Sequence, residues 1–222
     1  MSYFDFHIHS HYSSDSRMIP AKIIQVALNK GLKGIAITDH NTIKGAIEGR
    51  KNTSSDELVI IVGSEIRTTL CELIGLFLTN EISSTDPLAV IDEIENQGGI
   101  TVLPHPFRSV FIPHNKIRKE IPPEIIKRIH VIETVNSRTR ERDNLKARIL
   151  ASQNGKSQIA GSDAHFYPEI GRGRTLVSPF RSEEELKKNI LEGRTQVEFK
   201  SNAFLKGLPF QFLGALSSRV PR

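Results

Sequence analysis

The sequence offers few routes to covalent, disulfide-stabilised or membrane-based function. Cys71 is the single cysteine among 222 residues, so a disulfide framework and cysteine-rich zinc modules are both excluded. No apolar run approaches the roughly 18 residues that a membrane-spanning helix needs. Met1–Tyr3 leads straight into a strand-like stretch, with neither a basic n-region nor an apolar h-region, and a cytoplasmic protein is expected. Tryptophan is absent and aromatics make up 6% of residues. They do not alternate with basic residues, which argues against a stacking platform for single-stranded nucleic acid. The net charge of +5 favours anionic partners without naming them. Lys and Arg gather in 116–119, 127–128 and 138–148, either as a solvated surface or as a basic rim that draws in phosphate-bearing substrates.

What the chain does contain is a repeated alternation of strand-like and helix-like segments. Strands are expected at Tyr3–His9, Gly34–Thr38, Leu58–Val62, Glu72–Leu78, Ile100–Leu103, Val131–Val135, Gln158–Ala160 and Thr195–Phe199. Helices are expected at Ala21–Asn29 behind Pro20, at Thr42–Lys51, from Thr85-Asp86-Pro87 to about Gln97, near 142–153, and from a Ser182/Glu185 capping box to Glu192. Alternation of this kind, with near-continuous apolar strands, predicts an α/β fold around a parallel sheet covered on both faces. One barrel domain over residues 1–200 is expected, with the proline-marked segment 106–123 as a long loop over the active face. Residues 201–222, rich in Phe and Leu, read as an apolar tail that packs on the barrel or joins a second copy in a homo-oligomer.

The chemistry lies in five short polar clusters that follow the apolar runs. They are Asp5-Phe6-His7-Ile8-His9, Thr38-Asp39-His40, Gly63-Ser64-Glu65, Pro104-His105-Pro106 and Gly161-Ser162-Asp163-Ala164-His165, and they hold five of the eight histidines. In a strand, residues i and i+2 share a face, so His7 and His9 can reach one ion, as can Asp163 and His165. Asp5 either orients a ring nitrogen or pairs with backbone. Asp39-His40 precedes a helix, where one of the polar residues is expected to cap its N-terminus. Each cluster alone has a structural explanation, but coincidence at five strand ends is a poor one. A multinuclear metal site at the carboxyl ends of barrel strands explains all five together.

These same residues, in this order, resemble the PHP (polymerase and histidinol phosphatase) superfamily, and within it the short, stand-alone PHP-domain phosphoesterases. The resemblance spans Ser2 to about Phe199. It implies a distorted seven-stranded β/α (TIM-like) barrel with two to three divalent ions, manganese, zinc or iron. It further implies that His7, His9, Glu65 and Asp163 hold a first ion, that Glu65, His105 and Glu133 hold a second, and that Asp15, His40 and His165 hold a third. The stretch His11–Ser16 departs from the commoner Ser-Asp-Gly form, which leaves His11 in competition with Asp15. Many relatives carry His or Cys where this chain has Glu133.

The resemblance implies hydrolysis of phosphate esters of a small metabolite, a nucleotide or a short oligonucleotide. Closely spaced ions share a hydroxide, bind a phosphoryl oxygen and neutralise the leaving group, so no covalent nucleophile from the protein is required. Arg108 and Arg172 are candidate phosphate clamps, because guanidinium binds two oxygens at once. Two other readings stand beside this one. An amidohydrolase-type C–N hydrolase also begins with His-x-His after its first strand, and a non-catalytic accessory PHP domain would bind metal without turnover. No membrane partner is expected.

Overall fold

The computed structural model describes residues 1–54, 56–108 and 121–199. Among them lie strands β1 (Ser2–Ile8), β2 (Gly34–Ile37), β3 (Val59–Arg67), β4 (Glu72–Leu76), β5 (Ile100–Leu103), β6 (Val131–Asn136), β7 (Ser157–Gly161), β8 (Gly173–Val177) and β9 (Thr195–Phe199). The helices are α1 (Pro20–Asn29), α2 (Lys44–Lys51), α3 (Pro87–Asn96), α4 (Pro123–Arg128), α5 (Glu141–Gln153) and α6 (Glu183–Leu191). Their boundaries follow local chemistry. Proline opens α1, α3 and α4, where a missing N–H does no harm. The Asp86 carboxylate accepts the N–H groups of Leu88 and Ala89 to cap α3, and Ser182 Oγ accepts that of Glu185 to cap α6.

The strands form one sheet in the order β7-β6-β5-β4-β3-β2-β1-β8-β9. The sheet curls until the segment after β7 meets β1. An isolated parallel bridge joins Ile8 to Ala164, with His9 N–H donating to the Ala164 carbonyl at 3.0 Å. The result is a nearly closed α/β barrel, the class that the alternating pattern predicts. Two apolar clusters hold it together. One is drawn mainly from strands and includes Ile61, Ile74, Val102, Val131 and Ile159. The other packs Ile24 and Ala27 of α1, Val90 and Ile91 of α3 and Ala147 and Ala151 of α5 against Ile35, Ile37 and Val62.

Two expectations need correction. Nine strands are present among the described residues rather than seven, because β8 and β9 extend the sheet beyond β1. The sheet is also mixed. Pairs β1–β2, β2–β3, β5–β6 and β6–β7 are parallel, whereas β4 runs antiparallel to both β3 and β5. The cause is visible in the spacing: only residues 68–71 separate β3 from β4, too few for a crossover, and so a hairpin forms. Most of the loop expected over 106–123 and the whole tail 201–222 lie outside the described residues, as do His114 and the 116–119 basic cluster. Of the other basic residues, Arg128 pairs with Asp92 and Glu95, 2.8 and 2.7 Å away.

His130, just before β6, has a structural role. Its Nδ1 accepts the Thr101 N–H at 3.1 Å, which demands an unprotonated nitrogen. Burial lowers its pKa, with Glu95 opposing and Lys156 and Arg128 assisting. The folded state therefore binds this proton less readily than the unfolded chain does. Stability from His130 is present above the ordinary imidazole pKa of about 6.5 and is lost as pH falls through the lowered folded value. Urea unfolding at pH 7.5 and 5.5 is expected to show a smaller acid loss in His130→Gln than in wild type. An equal loss in both proteins would remove His130 from the explanation.

Candidate metal centre

The polar clusters converge at the carboxyl ends of the parallel strands. His7 lies near the end of β1 and His9 just past it, His40 follows β2, Glu65 is in β3, Glu133 in β6, and Asp163 and His165 follow β7. His7, His9, Glu65, His105, Glu133 and Asp163 are all at most 3% exposed. Backbone conformation helps to aim them. Asn41, His105 and Asp163 have positive φ values of 54°, 27° and 54°, a region that Asn and Asp adopt more readily than other residues with a Cβ and that costs His105 on the order of 1–2 kcal/mol. All three are, or adjoin, candidate ligands, which is where such strain accumulates.

The inner group contains His7, His9, Glu65 and Asp163. His7 Nε2 lies 3.0 Å from His9 Nε2, 3.5 Å from Glu65 Oε2 and 3.6 Å from Asp163 Oδ1. His9 Nε2 lies 3.4 Å from each of the same two carboxylate oxygens. The neighbouring hydrogen bonds set the tautomers. His7 Nδ1 faces Glu133 Oε1 at 3.1 Å, an acceptor only, so this nitrogen carries the proton. His9 Nδ1 faces Ser13 Oγ at 3.0 Å; that hydroxyl donates to Asp39 Oδ1 and so accepts from His9. Both Nε2 atoms are thereby turned towards each other and towards two carboxylates.

A second group surrounds Asp15, whose Oδ2 lies 3.2 Å from His40 Nε2 and 3.3 Å from His165 Nε2. His165 Nδ1 donates to the Asp163 carbonyl at 2.8 Å, leaving its Nε2 to face Asp15. His11 does not compete in this geometry: its ring points to the Met18 carbonyl, 3.4 Å away. Glu65 joins the two groups, with Oε2 also 3.2 Å from His40 Nδ1 and Oε1 2.9 Å from His105 Nε2.

These charges are interdependent. Burial pushes the Glu65 carboxyl up, but the His7 and His105 imidazoles beside it reverse this and hold it well below the usual carboxylate range. Asp163 is likewise held low, burial being outweighed by His7, His9 and His105. Burial alone would lower His7; Glu133, Asp163 and Glu65 hold it well above its ordinary value, and Glu65 does the same for His105. His40 is lowered, chiefly by burial.

The donor set fits divalent cations. Four atoms arranged tetrahedrally at about 2.1 Å from one ion lie about 3.4 Å apart, close to the His–His and His–carboxylate separations of the inner group. His40 Nδ1 is buried and makes no hydrogen bond, although it faces a carboxylate oxygen. Crowded carboxylates repel unless positive charge lies among them, supplied by protonated His7 or by a bound cation, and mixed imidazole and carboxylate shells suit manganese, iron and zinc.

The PHP domain family model matches residues 5–166, and a PHP-associated model matches residues 141–195. The chain belongs to the PHP family. An uncharacterized protein of Methanocaldococcus jannaschii, MJ0417, is 32% identical over 208 residues, which cover 91% of this chain and 81% of the relative. Among solved structures, this PHP chain is similar to a two-domain protein of Bacteroides vulgatus containing a predicted PHP-like metal-dependent phosphoesterase, with a TM-score of 0.75 and 21% identity. The match covers 89% of this chain but 64% of that protein, less than two thirds of its length. An amidohydrolase from Chromobacterium violaceum with bound sulfate matches with a TM-score of 0.62 and 15% identity, covering 90% of this chain and 99% of the other. The fold of this PHP chain is thus shared with a predicted PHP-like metal-dependent phosphoesterase and with an amidohydrolase.

Not every residue singled out in the sequence sits as expected. The Glu133 oxygens are engaged elsewhere, Oε1 by His7 and Oε2 by the His105 backbone N–H at 2.9 Å and Asn136 Nδ2 at 3.0 Å. Arg108 reaches the centre and donates through Nη1 to Asp163 Oδ2. Arg172 has no described contact with a candidate ligand; its backbone N–H donates to Glu169 and its Nε is buried without a hydrogen bond. Asp5 pairs with backbone rather than with a ring. It accepts N–H groups from Ser162 at 2.8 Å, Gly171 at 2.7 Å and His7 at 3.3 Å, fastening the segment that carries Asp163 and His165 to β1. Burial raises its pKa to about 6. Asp39 caps no helix: it accepts Ser10 N–H and Ser10 Oγ–H, each at 2.6 Å, and the Ser13 hydroxyl. The first residue before α2 is Ile43, whose N–H goes to Glu81.

Sequence reasoning missed Ser13, Asn136 and also Glu72, whose carboxylate oxygen lies within 4.8 Å of ligand atoms of His40 and Glu65. Ser13 was hidden in a serine-rich loop, where nothing marks one hydroxyl over another. Asn136 had a signal, since it stands three residues after Glu133 at the end of the same strand. Glu72 was hidden by the assumption that every strand points the same way.

Proposed function

We propose that this chain is a metal-dependent phosphoesterase that hydrolyses phosphate esters of a small metabolite, a nucleotide or a short oligonucleotide at a two- or three-ion centre. One observation carries the reading: His7 Nε2 and His9 Nε2 lie 3.0 Å apart, and each lies 3.4–3.6 Å from both Glu65 Oε2 and Asp163 Oδ1. In this reading these four residues hold a first ion. Glu65 is shared with a second beside His105, and Asp15, His40 and His165 hold a third. Bound divalent ions supply an activated water, a contact for a phosphoryl oxygen and neutralisation of the leaving group.

The protein's own residues do the rest. Glu133 and the Ser13–Asp39 pair fix the ring orientation and tautomer of His7 and His9, as outer partners of metal-binding histidines commonly do. Arg108, 28% exposed and tied to Asp163, is placed to grip a phosphate that enters beside the inner group.

Phosphate release from a panel of phosphomonoesters and 5′-phosphorylated oligonucleotides tests the proposal, using chelator-stripped protein refilled with manganese. Turnover is expected with manganese and not without it, and His40→Ala is expected to lose it. The preferred substrate separates a metabolite phosphatase from a nuclease. Stoichiometric metal without release from any phosphate ester would sink the proposal and favour C–N hydrolysis, a reading that the fold shared with the Chromobacterium violaceum amidohydrolase keeps in the test.

A further inference from the structure

Helix α5 carries apolar residues on two faces. Its buried positions are Asp143, Ala147 and Ala151, whereas Leu145 and Ile149 are 56% and 48% exposed. Being four residues apart, Leu145 and Ile149 stand one above the other on the outer face. Phe199, the last residue of β9, is 53% exposed as well. Single exposed apolar residues are ordinary. Here, however, Leu145 and Phe199 both line one groove of about 750 Å³, with Val135 of β6 and with Arg142 and Arg148 of α5, and Ile149 lies one turn further along the helix. Apolar side chains grouped at a groove mark a docking surface.

The chain's own course says what that surface receives. Residues 200 onward leave β9 from Phe199, which is itself part of the groove's lining. They bring Phe204, Leu205, Leu208, Phe210, Phe212 and Leu213, and no acidic residue occurs in 200–222. At about 3.3 Å per extended residue, Phe204 and Leu205 come within roughly 20 Å of Phe199. That reach is ample beside the roughly 6 Å that separate Leu145 and Ile149 along the helix axis. A segment tethered this closely also acts at an effective concentration on the order of millimolar, which the same segment of a second copy does not match in dilute solution.

We propose that the chain's own segment 200–213 docks in this groove, with Phe204 and Leu205 against Leu145, Ile149 and Phe199. The proposal does not rest on the reading of the metal centre. It assigns the apolar tail to the α5–β9 face of the barrel, and to the same molecule rather than a neighbour.

The test exploits the absence of tryptophan from the chain. Leu145→Trp and, separately, Ile149→Trp each place a single reporter on the outer face of α5 in the full-length protein. Both positions are exposed, so neither exchange disturbs the core, and circular dichroism checks the fold. Each reporter is measured with the natural tail and with Phe204→Asp and Leu205→Asp together, while light scattering gives the mass over a range of concentrations. With the natural tail, emission is expected to be blue-shifted and weakly quenched by acrylamide. The two aspartates should move it to the red and raise quenching severalfold. Ile47→Trp, on the exposed face of α2, should respond to neither change. Equal emission and quenching with and without the aspartates at both α5 positions would overturn the proposal, as would an equal response at Ile47→Trp. Shielding found only at concentrations where the mass doubles would also overturn it, by giving the groove to the tail of a second copy.

Discussion

His7→Ala is expected to lower manganese-dependent phosphate release by more than about a hundredfold, since loss of even an outer partner of a metal ligand commonly costs 10–100-fold. The reason is the number of roles this ring serves. Its Nε2 closes the inner group on His9, Glu65 and Asp163, while its Nδ1 donates to Glu133. Alanine removes a ligand and also strips Glu133 Oε1 of its donor inside a buried site. Steady-state kinetics alongside manganese titration will check this, and activity within tenfold of wild type would show that the inner group does not hold the working ion.

The second large effect is expected in stability rather than in turnover. Asp5 is fully buried, and its two oxygens accept three backbone N–H groups, from Ser162, Gly171 and His7. Asp5→Ala leaves those donors unsatisfied, at about 1–3 kcal/mol for each buried group without full additivity, so a total loss on the order of 3–5 kcal/mol is expected. Domains of this kind have only about 5–15 kcal/mol in all. Urea denaturation should therefore show a sharply lowered midpoint. A loss under about 1 kcal/mol would mean that water replaces the carboxylate, and that the 162–171 segment is held by other contacts.

The contrast between these two residues shows what was legible in the sequence. His7, His9, His40, Asp163 and His165 were readable because each follows or ends an apolar run, and the ends of parallel strands meet on one face of a barrel. Asp5 was readable as important but not in its role. A carboxylate two residues before a histidine on one strand face can serve a ring or the backbone, and only the return of residues 162–171, more than 150 positions away, decides between them. Glu72 was not readable as part of the site while β4 was taken as parallel, because that choice puts its start at the opposite end of the barrel. The four-residue connection shows only in the structure, where β3 runs on to Arg67; the expected strands Leu58–Val62 and Glu72–Leu78 leave residues 63–71 between them. Strand β8 escaped because Arg172–Arg174 interrupts any apolar run, leaving a segment that forms a strand only through pairing with β1 and β9.

The bridge between Ile8 and Ala164 carries a consequence for how the molecule comes together. The seam that closes the barrel is built from the same two segments that supply His7, His9, Asp163 and His165. Its contacts, with Asp5 and His7 against Ser162, are separated by 157 and 155 positions in the chain. Contacts of such long range form only after the entropy of a large loop has been lost, which places them late in assembly. A partly folded chain thus has no metal centre to offer, and a cation that binds across the seam acts as a rivet: it favours the closed barrel by mass action and slows its reopening.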